Sequence, residues 1–246
     1  MTGRFGSRVA SFDNASPLPS DAVTWAHRFR AAGYDVALAG KMHYCGPDQL
    51  HGFSVNLSRD IHAELWMEDG PAFVPRGAAD WVAGIDESDP NGNWHIAEQA
   101  GPGSTEEIEV DDDVEAKSLA YLSDPARKQA PWILNASFIA PHFPLITPQE
   151  YWEAYPHDEI DIPVTAFEPL DDQPRTIQRM RCAFNLAGEA PESVIRNGRA
   201  GYYSIISWFD KKLGRLLDVL ESESPQYIAA KSHSKKWIMP SCVFHC

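Results

Sequence analysis

The stretch Val36-Ala37-Leu38-Ala39, closed by Gly40, constrains the fold more than any other part of the chain. A short apolar run bounded by a turn residue reads as a buried strand, here expected from Tyr34 to Ala39. Residues 20–33 carry a helical pattern before it, with Ser20 as the cap, Asp21 in the first turn and Gly33 as the stop. Ala22, Ala26 and Phe29 supply the apolar face of that helix. A helix running into a buried strand is the order that α/β folds repeat. Lys41 and His43 follow at once, so a fixed cation and a proton carrier stand at the mouth of the strand. That placement suits an anion-handling site in an α/β fold.

The remaining chain reads as parts of one domain. Residues 54–110 are irregular and rich in Trp, Gly, Pro and Asp, the character of a functional or covering region. Residues 113–123 look helical, and Pro131 to Ala140 reads as a second buried strand. Residues 145–196 are Pro-rich and loop-like. Tyr202, Ile205, Ile206, Phe209, Leu213, Leu216, Leu217 and Leu220 recur at spacings of three and four, which predicts an amphipathic helix. No internal repeat interrupts this pattern, and 246 residues suffice for a sizeable core.

Composition removes several function classes. The chain carries 35 acidic residues against 21 Lys and Arg, a net charge of −14. Nonspecific binding to nucleic acid or to an anionic membrane is therefore not expected. An anionic small substrate remains open, because local charge decides that case. Much of the excess lies in Thr105 to Glu115, which reads as a solvated loop and helix start. No stretch approaches the roughly 20 apolar residues of a membrane span. The first residues also lack the apolar core of a signal peptide. Cysteines at 45, 182, 242 and 246 show no disulfide-scaffold spacing, so a reducing, cytoplasmic setting is the simpler expectation.

Lys41 offers a fixed positive charge for sulfate or phosphate oxygens, and His43 can move a proton near neutral pH. A Lys-x-His pair taken alone also fits surface or structural roles. His142 lies after the second strand in Pro141-His142-Phe143-Pro144, a rigid turn; packing is its plainer reading. No Gly-x-Ser-x-Gly occurs, which argues against a serine hydrolase of the α/β type. Cys45 as a thiol nucleophile and a zinc site at His233, Cys242, His245 and Cys246 have little support from spacing.

The run Gly40-Lys41-Met42-His43-Tyr44-Cys45-Gly46-Pro47-Asp48-Gln49-Leu50-His51-Gly52-Phe53 closely resembles the Gly-Lys-x-His block of the type I sulfatases, and most of all their choline-sulfatase branch. Thr2-Gly3-Arg4 looks like the tail of the sulfatase signature, and Asp13-Asn14-Ala15 resembles a segment with a substrate-contacting Asn. Pro141 to Pro144, Tyr151-Trp152, Tyr155 and the helix from Tyr202 to Leu220 fit the same family. The resemblance implies a partial α/β, alkaline-phosphatase-like sulfatase domain, with a central mixed sheet flanked by helices. It implies hydrolysis of a small sulfate ester, choline sulfate above all, to an alcohol and sulfate. It implies formylglycine and a divalent cation, usually Ca2+, in a homo-oligomeric parent enzyme. Lys41 would then hold the sulfate and the formylglycine oxygen, and His43 would assist at the formylglycine hydroxyl. His142 would bind a sulfate oxygen or protonate the leaving alcohol. Asn14, Trp66 and His95 would contact substrate, Trp66 by offering an aromatic face to a trimethylammonium group. Packing of Trp66 and Trp94 is the alternative.

The same resemblance sets expectations about what this sequence lacks. Cys-x-Pro-Ser-Arg does not occur, and neither do the family's paired metal-binding aspartates, so no metal ligand is assigned. Residues 1–222 are expected to form a partial catalytic domain, and 223–246 an atypical tail with the character of a shifted reading frame. The chain alone is accordingly expected to be inactive as a sulfatase. A phosphonate or phosphate monoester hydrolase of the same superfamily and a non-catalytic, degenerate fragment are the alternatives.

Overall fold

A computed structural model of the chain describes residues 1–12, 16–59 and 94–223. The elements in order are α1 (Trp25–Ala31), β1 (Asp35–Gly40), β2 (Val55–Asn56), α2 (His95–Glu98), β3 (Gly101–Pro102), α3 (Glu106–Ser123), β4 (Trp132–Ser137), β5 (Ile146–Thr147), α4 (Gln149–Trp152), α5 (Arg175–Ala183) and α6 (Glu192–Glu223). Contacts divide the described residues into two units. The first takes residues up to 59, 106–139 and the end of α6 from Lys211; the second takes 94–105 and 140–210.

The first unit is built on a parallel sheet in the order β2-β1-β4, with β1 central. Along β1 the pairing runs from Asp35 opposite Trp132 to Gly40 opposite Ser137. Val36 and Leu38 pack with Ala26 of α1, Tyr44 and Phe53, whereas Ala39 packs with Val110 and Val114 of α3 and with Ile139. Both faces of β1 are therefore covered, which is why its residues are apolar without alternation. The described ladders are all parallel; no antiparallel strand of the expected mixed sheet lies among the described residues.

Three expectations require correction. Ser20 does not start the first helix: residues 20 and 21 form a turn, and Thr24 caps α1 by accepting from the His27 amide while the His27 ring accepts from the Thr24 amide. Ala22 therefore lies outside the helix, and Phe29 is exposed. The acidic run from residue 105 is the helix start expected but not a solvated loop, since α3 starts at Glu106 and buries Ile108, Val110, Asp111, Val114 and Glu115. Asp111 accepts the Ile139 amide at 2.7 Å, and Glu115 pairs with Lys212 and Arg215. Finally, α6 spans 32 residues, and its buried face keeps Ile205 and Leu216 of the expected one but is shifted away from Tyr202 and Ile206. Ala200, Gly201, Ser204, Ile205, Trp208, Lys212 and Leu216 are buried, while Tyr202 and Ile206 are exposed.

In the second unit β3 pairs parallel with β5. Gly201 of α6 lies so close to Ala100 and Leu145 that a Cβ there would come within 2.9 and 3.0 Å of their side chains. The neighbouring Asn197 donates its amide to the Ala97, Glu98 and Ala100 carbonyls, which ties α2 and β3 to α6. Residues 145–196 are more ordered than a loop-like reading suggests. Prolines 156, 163 and 169 each stand just before a single 3-10 turn.

Candidate functional site

Lys41 is the first residue past β1, and its amide donates to the Ser137 carbonyl at 3.0 Å. It therefore stands at the carboxyl edge of two parallel strands, where open α/β sheets place their ligands. The side-chain amide of Asn56 clamps the residue before it, accepting from the Gly40 N–H at 3.3 Å. Met42 and Tyr44 both pack on the apolar cluster around Val36, Leu38 and Phe53. That leaves Lys41 and His43 as the alternate positions of the segment, both half-buried. His43 has φ +55, a left-handed conformation that few non-glycine residues adopt and that recurs at functional sites.

The residues after His43 are occupied in shaping the loop. Gly46 has φ +89, and a Cβ there would come within 3.2 Å of Pro17. Asp48 accepts the amides of Leu50 and His51 at 3.0 and 2.9 Å, an Asx-type turn. Burial opposes the charge on Asp48, yet those two amides outweigh it and hold its carboxyl below the usual value. The Gln49 side chain donates to the Tyr44 and Gly46 carbonyls at 2.9 and 2.7 Å. Gly52, at φ +99, sits where a Cβ would meet His27 Nδ1 at 2.5 Å. Thr24 donates its hydroxyl to the His51 carbonyl at 2.6 Å.

Lys41 and His43 share the first unit. His142 and His95 belong to the second unit and are described there. His142 is exposed, with Nδ1 2.6 Å from the Phe143 carbonyl oxygen and its ring against the Phe143 ring. His95 is the exposed first residue of α2. Asn14 and Trp66 lie outside the described residues, as do the tail residues His233, Cys242, His245 and Cys246. Cys45 is buried, and its thiol faces the His43 carbonyl at 3.9 Å, so it is not placed as an accessible nucleophile. Sequence reasoning missed Asn56, Asp48 and His51. Asn56 gave no signal, whereas the Asp-x-x-His-Gly spacing of 48–52 could have been read as a turn.

The expected divalent cation and formylglycine can be tested against these groups. Among the described residues no three His, Cys, Asp or Glu side chains converge into a metal set. The two described cysteines, Cys45 and Cys182, stand in no Cys-x-Pro-Ser-Arg segment. The described residues thus fit neither group, and no step through them is derived.

Comparison with known proteins bears on the same residues. No family model matches the chain. A choline-sulfatase from Rhizobium meliloti is 34% identical over 231 residues, covering 89% of this chain and 43% of the relative. The chain belongs to the sulfatase family. An arylsulfatase from Clostridium perfringens is 24% identical over 219 residues, covering 81% of this chain and 44% of the relative. Among solved structures, the phosphonate monoester hydrolase of Agrobacterium radiobacter superposes with a TM-score of 0.57 at 19% identity, over 91% of this chain and 48% of that one. That likeness shows the fold that the sulfatase resemblance implied. This sulfatase-family chain spans under half the length of the curated relatives it matches. Among its described residues, no helix is long and apolar enough to cross a membrane.

Proposed function

We propose that this chain carries the anion-binding strand end of a sulfuric ester hydrolase, and that the whole protein cleaves a small sulfate ester, choline sulfate, to an alcohol and sulfate. The observation that supports this most is the alternation at the end of β1. Met42 and Tyr44 pack inward, and the two residues between and before them are a lysine and a histidine. In this reading the Lys41 ammonium holds sulfate oxygens and neutralises their charge, and His43 exchanges a proton at the same oxygens. The 34% identity to a choline-sulfatase favours a sulfate over a phosphate ester. Ca2+ and formylglycine belong to this reading as family expectations.

The test is thermal melting of the purified chain with sulfate, beside Lys41→Ala. Sulfate at a hundred times its Kd stabilises by about 2.7 kcal/mol, which raises Tm by roughly 5–11 °C for a domain of this size. The shift should disappear in Lys41→Ala. Equal shifts in both proteins, or none in either, would overturn the reading. A larger shift with phosphate than with sulfate would transfer it to phosphate or phosphonate esters. Hydrolysis of a chromogenic sulfate ester by this chain should not exceed that by Lys41→Ala.

A further inference from the structure

The loop after β1 contains a histidine that the proposed chemistry does not use. His51 is 0% exposed, the most enclosed titratable group of the loop. Its backbone, at a left-handed φ of +40, is held by two contacts: the amide donates to Asp48 and the carbonyl accepts from Thr24. Its ring packs edge-on against Tyr44, with centroids 4.4 Å apart. Nδ1 lies 3.4 Å from Asp48 Oδ2, and neither ring nitrogen makes a hydrogen bond among the described residues. A buried imidazole without hydrogen bonds tolerates the neutral state and opposes the charged one.

We propose that His51 is a proton-operated latch and a positioning residue: neutral, it seats the 43–53 loop; protonated, it releases that loop and with it His43 and the approach to Lys41. The titratable groups facing it are Asp48 and Tyr44 from its own loop and His27 from α1. Burial is the larger influence and lowers its affinity for a proton; Asp48 works against that shift and His27 adds to it. The sign follows directly. The released loop binds a proton more readily than the seated one, so seating is full above the ordinary value of 6.5 and weakens as pH falls below it. Asp48 cannot produce the same step, because its own value lies below the usual carboxylate range.

Hydrogen exchange of the loop amides reads the latch without reference to catalysis. The informative amides are those of Leu50, His51 and Phe53, which are bonded to Asp48 or to the Leu50 carbonyl. Corrected for intrinsic rates, their protection should fall about tenfold between pH 7.5 and 5.5, because each pH unit below the released-state value costs up to tenfold. Amides of the second unit, such as those of β5, should not follow. His51→Asn removes the ionisable ring and suits a left-handed backbone, so the step should vanish. His27→Gln should keep it. Protection that is flat over this range in the unsubstituted chain overturns the proposal even if His51→Asn fails to fold. A step that survives His51→Asn, or that His27→Gln abolishes, overturns it as well. Only the consequence for ligand rests on the anion-site reading. In that reading the sulfate-induced Tm shift shrinks at pH 5.5. A missing shift at pH 7.5 with an intact exchange step would sink the anion site and leave the latch standing.

Discussion

Gly40 is the position at which a single methyl group should do most damage. Its φ is +101, outside the range of ordinary L-residues, and an added Cβ would sit 2.7 Å from Val114 Cγ2 and closer still to the Ser137 carbonyl oxygen. Neither neighbour can move cheaply. Val114 is buried in the cluster beneath Ala39, and the Ser137 oxygen already accepts the Lys41 amide. Forcing alanine into such a backbone region costs about 1–3 kcal/mol. Overpacking a fixed wall costs about another 1–3 kcal/mol. Losing the Lys41–Ser137 hydrogen bond adds roughly 1 kcal/mol. Together these reach about 3–7 kcal/mol, against the 5–15 kcal/mol by which a domain is usually stable. Urea unfolding of Gly40→Ala, followed by tryptophan fluorescence, should show a midpoint lowered accordingly or no folded baseline at all. Gly33→Ala is the paired control: Gly33 has φ +87 but nothing within 4 Å of an added Cβ. It carries only the backbone cost, about 1–2 kcal/mol. Gly40→Ala no worse than Gly33→Ala would refute the claim that the strand end is sterically closed around Gly40.

Two further outcomes follow from the charged residues of α3. Burial would raise the Glu115 carboxyl, but hydrogen bonds from Arg215 and Lys212 outweigh it and the net value is lowered. Its contribution is therefore present above the ordinary value of 4.5 and lost as pH falls through the lower folded one. Urea midpoints measured from pH 6 to pH 3 should drop less steeply in Glu115→Gln, and an identical acid slope would refute the assignment. Asp111→Ala leaves the buried Ile139 amide without its acceptor and should destabilise by about 1–3 kcal/mol; a midpoint unchanged within error would count against that hydrogen bond.

The sequence was most legible where one physical demand acts alone. A strand buried on both faces must be apolar throughout, so β1 could be read to within a residue; β4 was read near its true bounds, but it is half-buried along its length and not the buried strand expected. Boundaries decided by tertiary contacts were harder. Ser20 was read as the cap of the first helix, but the helix starts after Thr24, whose hydroxyl also reaches the His51 carbonyl. The acidic run defeated charge patterning because its buried carboxylates find partners distant in sequence: Ile139 for Asp111, and Lys212 with Arg215 for Glu115. The same pairing explains α6. Lys212 is 1% exposed, so the buried face runs through a lysine and a serine that an apolar count assigns to solvent.

The run from Gly40 to Phe53 shows why a short motif can identify a family and still say little about chemistry. Only Lys41 and His43 in it are candidates to meet a substrate. Gly40, Gly46 and Gly52 supply backbone conformations, Asp48 and Gln49 bond the loop to itself, and Met42, Tyr44 and Phe53 anchor it to the core. Groups of the first unit order this loop, among them Pro17, Thr24, Asn56, Asn135 and Ser137. Seating of the two candidate residues is thus a property of the first unit, separable from the supply of a nucleophile or a metal. Anion binding and loop protection are consequently the measurements that test this chain's own residues, which match less than half the length of the choline-sulfatase relative.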